Sequence, residues 1–343
     1  MSMILGIECT AHTFGVGIAH KRKILANVRD MYKPIQGGIV PMESAKHHTN
    51  VAPQIYAEAL RVAKLNEKKI TAIAISNAPG LAPCLLAGLR FAQTKALELG
   101  VQLIPVNHCI AHLEIGRSVG ARDPILLYVS GANTQIIAYA AGKYRIFGET
   151  LDIGVGNFID KFARHAGIAF PGGPVVEQEA LGGSYLEVPY VIKGMDVSFS
   201  GMATKLQQLF DKGVPLKDLA FSLQETAFAM LVEAAERALA HTEKKELVLG
   251  GGVACNARLQ EMCTLMCSER GAKCFSPAKE YLTDNGAMIA YTGELMYQAG
   301  VRFKGEDVDI KPRERTDDVA VNWRKYSGRR KFLTTIVRPP LDS

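Results

Sequence analysis

The chain lacks any hydrophobic run approaching the ~18 residues a membrane-spanning helix needs, although 48% of its 343 residues are hydrophobic. Apolar residues dispersed in this way serve packed cores, and the length allows two domains. No leader is expected: Met1-Ser2-Met3 runs straight into an apolar strand, with no basic segment and no cleavage site. A Cys-x-x-Cys pair is also missing. The seven cysteines (9, 84, 109, 255, 263, 267, 274) are scattered and odd in number, which speaks against a disulfide framework and for a reducing compartment. Cys263 and Cys267 stand four apart on an expected helix but have no second ligand pair nearby, so they read as small buried hydrophobes. These absences together point to a soluble, cytoplasmic protein. Charge of one sign is scarce until the end. The net charge is +6, yet residues 311–343 hold nine Lys or Arg against four Asp or Glu, leaving +1 for the first 310. Such a tail suits an acidic partner such as nucleic acid, and equally a solvated end.

What is present is organised around Pro105-Val106-Asn107-His108-Cys109-Ile110-Ala111-His112. Histidines at i and i+4 share one helix face, and that spacing lets two imidazoles reach one metal ion. Asn107 reads as the N-cap, and Pro105 as part of the loop entering the helix. The competing reading is two ordinary helical histidines; the residues elsewhere in the chain weigh against it.

Residues 4–18 read as strand, polar connection (Glu8-Cys9-Thr10-Ala11-His12-Thr13) and strand, followed by a turn and a third strand from Ile24. The same plan returns over 125–150, with Ser130-Gly131-Ala132-Asn133-Thr134 as the connection. It is a repeat of pattern more than of residues. Helices are expected over 44–65, 87–100, 154–167, 216–241, 256–271 and 285–300, and further strands over 70–76, 246–249 and 272–276. A duplicated strand meander with alternating helices describes two similar α/β lobes facing across a cleft. That is the plan of the actin, sugar-kinase and heat-shock ATPase superfamily, a duplicated ribonuclease-H-like fold. The expected division is a first lobe over 1–122, a second over 123–323 whose last helix packs back toward the first, and a basic tail over 324–343.

Four further stretches fall at strand ends or helix starts on the cleft side. The Ser130–Thr134 turn of small residues offers backbone N–H groups to phosphate. Asp160 and Phe170-Pro171-Gly172-Gly173-Pro174-Val175-Val176-Glu177 combine glycines with carboxylates able to accept from ribose hydroxyls. Gly250-Gly251-Gly252-Val253-Ala254-Cys255-Asn256 suits an adenine slot or a phosphate at a helix N-terminus. In Tyr281-Leu282-Thr283-Asp284-Asn285-Gly286, Asp284 opens the final helix, where a capping role is the plain alternative.

In this order the segments NHCIAH, VSGANTQ, FPGGPVVE, SFSGMAT, GGGVACN and YLTDNGAMIA resemble the universal tRNA threonylcarbamoyladenosine transferase family. GIECTAHTFGVGI and VNHCIAHLEIGR are most similar to its archaeal and eukaryotic branch, the catalytic subunit of the KEOPS complex. The resemblance spans residues 3–323. Gln102 and Gln260 depart from common residues of the family, away from any proposed ligand. The resemblance implies transfer of threonylcarbamoyl from threonylcarbamoyl-AMP to N6 of the adenosine 3′ of the anticodon in tRNAs reading ANN codons. It implies an iron or zinc ion on His108, His112, Tyr128 and Asp284. It implies AMP or ATP in the cleft, contacting Ser130, Gly131, Ala132, Asn133, Asp160, Gly173, Glu177 and Asn256. Expected partners are tRNA and KEOPS-type subunits, including a small kinase/ATPase and a dimerisation subunit, with neither membrane nor DNA. His12, in the first polar loop, is read as a residue that moves a proton.

Three rival readings share some of these features. A zinc peptidase places glutamate directly after the first histidine as general base, and here that position is Cys109. A sugar or acetate kinase needs a catalytic carboxylate and magnesium, not a histidine pair. A nucleotide-binding scaffold would bind adenylate without turnover.

Overall fold

Strand, loop, strand, turn, strand occurs twice in the computed structural model, which describes residues 2–34 and 38–324. The first half runs β1 (Met3–Glu8), β2 (Thr13–His20), β3 (Lys23–Met31), α1 (Pro41–Val62), β4 (Ala72–Ala78), α2 (Ala82–Leu99), β5 (Gln102–Asn107) and α3 (His108–Ile115). The second opens with β6 (Ile125–Val129), β7 (Thr134–Ala140), β8 (Lys143–Glu149), α4 (Val155–His165), α5 (Gly173–Glu179), β9 (Ile192–Lys193), β10 (Asp196–Val197) and α6 (Ser200–Asp211). It continues with α7 (Leu216–Thr242), β11 (Glu246–Gly250), α8 (Ala257–Glu269), β12 (Lys273–Phe275), α9 (Lys279–Leu282) and α10 (Gly286–Gln298). The two five-stranded sheets have matching orders, β3-β2-β1-β4-β5 and β8-β7-β6-β11-β12. In each, the first three strands are antiparallel and the last two join in parallel. This is the two-lobed α/β fold that the repeated pattern predicts.

Central strands of such sheets are covered on both faces, which is why β1 is apolar almost throughout. Leu5 and Ile7 enter a core shared with Ile55 and Tyr56 of α1 and Leu85 and Leu89 of α2. Ile4 packs on the opposite side, with Ala111 and Ile115 of α3 and Met288 and Ile289 of α10. By the two-residue period of a strand, Gly6 and Glu8 belong to that second side. β6 follows the same logic. Ile125, Leu127 and Val129 join the large core with α4, α6, α7 and α8, and Leu126 and Tyr128 join Cys109, Ile110 and Leu113 of α3. The histidine helix is therefore held between the two sheets, with all eight of its residues buried. Asn107 caps it as expected, accepting from the N–H groups of Cys109 and Ile110 at 3.1 and 3.3 Å.

Some boundaries differ from the sequence reading. α1 and α2 start at Pro41 and Ala82, three and five residues early, each with proline in its first turn. Proline there surrenders an N–H that has no helical partner anyway, so it opens a helix and does not bar one. Pro105 lies within β5, opposite Ile75, and not in a loop. β5 is the edge strand of its sheet. The Leu103 N–H points outward to Phe303 O, so the nitrogen of Pro105, two residues on, also faces away from β4 and no ladder bond is lost.

After α10 the chain returns across both lobes. Asn77 binds the Asp309 carbonyl at 2.9 Å, Arg315 pairs with Glu149 on β8 at 3.1 Å, and the Trp323 indole donates to Glu114 at 3.2 Å. Arg324, the first charge of the expected tail, is not free: it lies over the Tyr139 ring and bonds Asp123. Residues 325–343, the rest of that tail, lie outside the described residues. No helix among the described residues is long and apolar enough to cross a membrane.

One buried histidine makes stability depend on pH. His48 of α1 is fully buried against Phe14, and burial, reinforced by His47, lowers its pKa to about 4. An unfolded chain binds a proton at this residue below about 6.5, whereas the native chain resists it until about 4. Its contribution is therefore present above about pH 6.5 and lost as pH falls toward 4. At pH 5 the native state should be about 1–3 kcal/mol less stable than at pH 7 through this residue alone. Urea unfolding of the native chain and His48→Gln at both pH values checks it; equal slopes with pH would remove His48 as the cause.

Candidate metal centre and nucleotide cleft

The helical period of α3 sets His108 and His112 face to edge, with ring centroids 4.8 Å apart. Tyr128, on β6, brings its hydroxyl to 2.9 Å from His108 Nε2. Asp284, in the turn before α10, places Oδ1 3.4 Å from the Nε2 atoms of both histidines. That approach is too poorly aligned for a hydrogen bond, and both ring nitrogens of His112 are buried without a hydrogen-bond partner among the described residues. Ligand atoms of His108, His112 and Asp284 lie within 4.8 Å of one another, the one such trio among the described residues. Buried nitrogens left unpaired are costly and rare. Two imidazoles, a carboxylate and a phenol converging from α3, β6 and the 283–285 turn form a donor set that fits iron or zinc.

The final helix is capped by Asn285, whose side chain accepts from the Met288 N–H at 2.9 Å. The expectation that Asp284 opens this helix is thus corrected by one position. Freed from capping, its carboxylate turns to the histidines, while Arg29 of β3 binds its carbonyl at 3.0 Å and the Thr283 hydroxyl. Burial alone would raise the Asp284 carboxyl, but His108 and then His112 outweigh it and hold it well below the usual range. Burial also opposes charge on His108, yet Glu8, Tyr128 and Asp284 together raise that ring well above an ordinary histidine. His112 moves the other way, lowered by burial and by His108 against the pull of Asp284. The two rings are therefore unequal, and His112 is the readier neutral donor.

Glu8 belongs to this centre although the sequence reading gives it no role there. It closes β1 fully buried, accepting from the Thr10 N–H and hydroxyl at 2.7 and 2.6 Å, with its other oxygen 2.9 Å from His108 Nδ1. The signal was available: a carboxylate ending an otherwise apolar strand must find partners inside the fold.

The residues expected at a nucleotide gather in smaller groups. Ser130 to Asn133 form a closed turn, with the Ser130 N–H donating to Asn133 O at 2.8 Å and the Asn133 N–H to Ser130 Oγ at 3.1 Å. The turn sits on the start of α4, where Gly156 and Asn157 N–H groups bind the carbonyls of Ser130 and Gly131. A Cβ on Gly154 would stand 2.3 Å from Gly131 O and 2.5 Å from Ala132 O. Gly251, at φ +93°, closes equally tightly on the Val129 carbonyl, so the 130–133 and 250–252 turns are neighbours. Glu177 accepts from the Ala257 N–H at 2.8 Å. Asn256 caps α8 through Arg258 and Leu259 and donates to Gln224. Both residues thus meet at the start of α8, but their bonds in this structure serve that helix. Gly173 opens α5 with free space where a Cβ would lie. Asp160 accepts from the Gly172 N–H at 2.8 Å, and burial raises its carboxyl. His12 faces this group from the first lobe, edge-on to Phe170 at 6.4 Å, with Nδ1 buried and unpaired. The SFSGMAT segment is anchored by Asp152, which accepts from the N–H groups of Phe199 and Ser200, both at 3.0 Å.

A sequence model of the family described as tRNA N6-adenosine threonylcarbamoyltransferase matches residues 23–291. A tRNA N6-adenosine threonylcarbamoyltransferase of Thermococcus kodakarensis is 51% identical, over 93% of this chain and 99% of that protein. One from Archaeoglobus fulgidus is 50% identical over the same shares. A probable bifunctional tRNA threonylcarbamoyladenosine biosynthesis protein of Methanosarcina mazei is 51% identical over 96% of this chain, which spans 61% of that longer protein. Among solved structures, full-length HypF in its phosphate- and nucleotide-bound form aligns over 86% of this chain and 46% of that one, with TM-score 0.59 and 12% identity. A Clostridium difficile dehydratase activator aligns over 88% and 99%, with TM-score 0.53 and 9% identity. These two likenesses concern the fold alone.

Proposed function

The chain belongs to the tRNA N6-adenosine threonylcarbamoyltransferase family and is a transferase, and from this premise we propose its reaction in detail. The donor is threonylcarbamoyl-AMP, and the acceptor is N6 of the adenosine 3′ of the anticodon in tRNAs reading ANN codons. The N6 amine attacks the carbamoyl carbon; the bond from that carbon to the phosphate oxygen breaks, and AMP leaves. The observation that carries this reading is the convergence of His108, His112, Tyr128 and Asp284 between the lobes.

His108, His112, Tyr128 and Asp284 would hold iron or zinc, which when bound supplies Lewis acidity toward the donor's carbonyl or phosphate. The N–H groups of Gly131 and Ala132, in the middle of the Ser130–Asn133 turn, and of Gly252 receive the phosphate as its charge grows on departure. Glu177, Asp160 and the backbone at Gly173 bind ribose, and Asn256 borders the base. His12 takes the proton that N6 releases. The chain acts as the catalytic subunit of a KEOPS-type complex with a small kinase/ATPase and a dimerisation subunit. The archaeal relatives, and the longer bifunctional one in which an additional segment accompanies this region, support that placement.

The test is mass spectrometry of tRNA after incubation with the chain, its partners, the adenylate-making synthase, ATP, threonine and bicarbonate. Threonylcarbamoyl should appear on the adenosine 3′ of the anticodon. Adenylate binding with unmodified tRNA would instead establish the scaffold reading.

A further inference from the structure

We infer that Glu8 is a positioning residue for the metal centre: its buried carboxylate locks His108 in the tautomer whose Nε2 lone pair faces Tyr128 and Asp284. The inference rests on the metal reading above and adds to it a residue outside the ligand set.

The geometry leaves His108 little choice. Glu8 Oε1 already accepts two bonds from Thr10, at 2.7 and 2.6 Å, so Oε2 is the oxygen offered to His108 Nδ1 at 2.9 Å. A carboxylate only accepts, which puts the proton on Nδ1. The Thr10 hydroxyl stands 3.3 Å from the same nitrogen, but its own proton is directed to Glu8, so it too can only accept from Nδ1. Both neighbours therefore demand Nδ1–H, so Nε2 is the nitrogen that gives up its proton when the ring is neutral or meets an ion. That nitrogen points to the Tyr128 hydroxyl at 2.9 Å and Asp284 Oδ1 at 3.4 Å.

Among the described residues, His112 has no counterpart to Glu8. Its Nδ1 is buried and unpaired, and the place an outer partner would take is bordered by Gly250, whose Cβ would lie 3.7 Å from that nitrogen. One histidine is thus fixed by the fold before any ion arrives, and the other is not. Charge points the same way. A dication facing Asp284 with a neutral tyrosine leaves one positive charge in a buried site, and the Glu8 carboxylate behind His108 offsets it. Carboxylates that orient ligating histidines typically change metal affinity 10–100-fold when removed. Strand parity delivers Glu8 to this spot, since it shares the face of Ile4 and Gly6 that meets α3 and α10.

Two measurements separate this inference from the metal reading. The first is the tautomer of His108 in metal-free protein at alkaline pH, where the ring is neutral, read by 15N chemical shifts after histidine-selective labelling. The native chain should show Nδ1–H, and Glu8→Gln, whose amide can donate as well as accept, a mixture or Nε2–H. The second is zinc affinity by competition with a chromophoric chelator. Glu8→Gln should weaken it ~10–100-fold, and Thr10→Val, which loosens Glu8 without removing it, should weaken it less. Thr10→Val also serves if Glu8→Gln does not fold. Native tautomer and native zinc affinity in both folded variants would overturn the inference, reducing Glu8 to a packing residue. If the native chain takes up no zinc and His108→Ala changes nothing, the metal reading fails, and the positioning role fails with it.

Discussion

His108→Ala/His112→Ala should bind neither iron nor zinc and should lose threonylcarbamoyl transfer by on the order of 10³-fold or more. Lewis-acid stabilisation is worth several kcal/mol, and each 1.36 kcal/mol is tenfold in rate. Tyr128 and Asp284 alone cannot hold an ion against water, because a structural or catalytic zinc takes at least three protein ligands. Nucleotide binding should largely survive: the Ser130–Asn133 turn, Asp160, Gly173, Glu177 and Asn256 all belong to the second lobe and bond to α4, α5 and α8, not to α3. Two merely packed histidines predict something else. Their loss would cost about 1–2 kcal/mol each and leave activity per folded molecule unchanged. Metal analysis of anaerobically purified protein, with transfer assays on the folded double variant, decides the matter. A metal-free double variant with native turnover would sink the metal reading.

Gly286→Ala should destabilise the chain by about 3 kcal/mol or more, near the upper end for overpacked sites. α10 lies directly on the first sheet. A Cβ on Gly286 would come 2.3 Å from Gly17 N, one on Gly17 2.3 Å from Ala287 N, and one on Gly6 2.1 Å from Ala290 N. The obstacles are main-chain atoms of a five-stranded sheet, so no side chain can swing aside and the helix must lift. Asp284 stands two residues before Gly286, so the lift should also weaken metal binding. Gly201→Ala is the control: it lies in α6 with open space around its Cβ, and alanine there should be neutral or stabilise by about 0.5–1 kcal/mol. Chemical unfolding of the three proteins measures both. A native midpoint in Gly286→Ala would show that the contact between α10 and the sheet is looser than drawn.

Local signals carried much of this protein in its sequence. The paired histidines were legible because i and i+4 share a helix face whatever surrounds the helix. The repeated strand meander was legible because period-two alternation and turn residues act over a few positions, and both sheets follow it. Asn107 declared itself as a cap by residue type and place. Where local signs misled, a local rule had a context-dependent exception. Pro41 and Pro83 look like breakers and stand in first helical turns, and Pro105 looks like a loop residue and lies on a sheet edge.

Tertiary structure alone decided which distant groups share one point. Glu8 meets His108 across 100 residues, and Asp284 meets His112 across a longer span. Nothing in the spacing of those residues records it, because the meeting depends on which face of β1 is covered by α3 and how closely α10 approaches glycine. The same holds for Asp284 and Asn285: either residue type can cap a helix, and only the packed turn sends one side chain to the backbone and the other to the histidines. Short-range geometry is written in residue order. The choice among partners far apart in sequence is made by burial, when the two sheets close on α3.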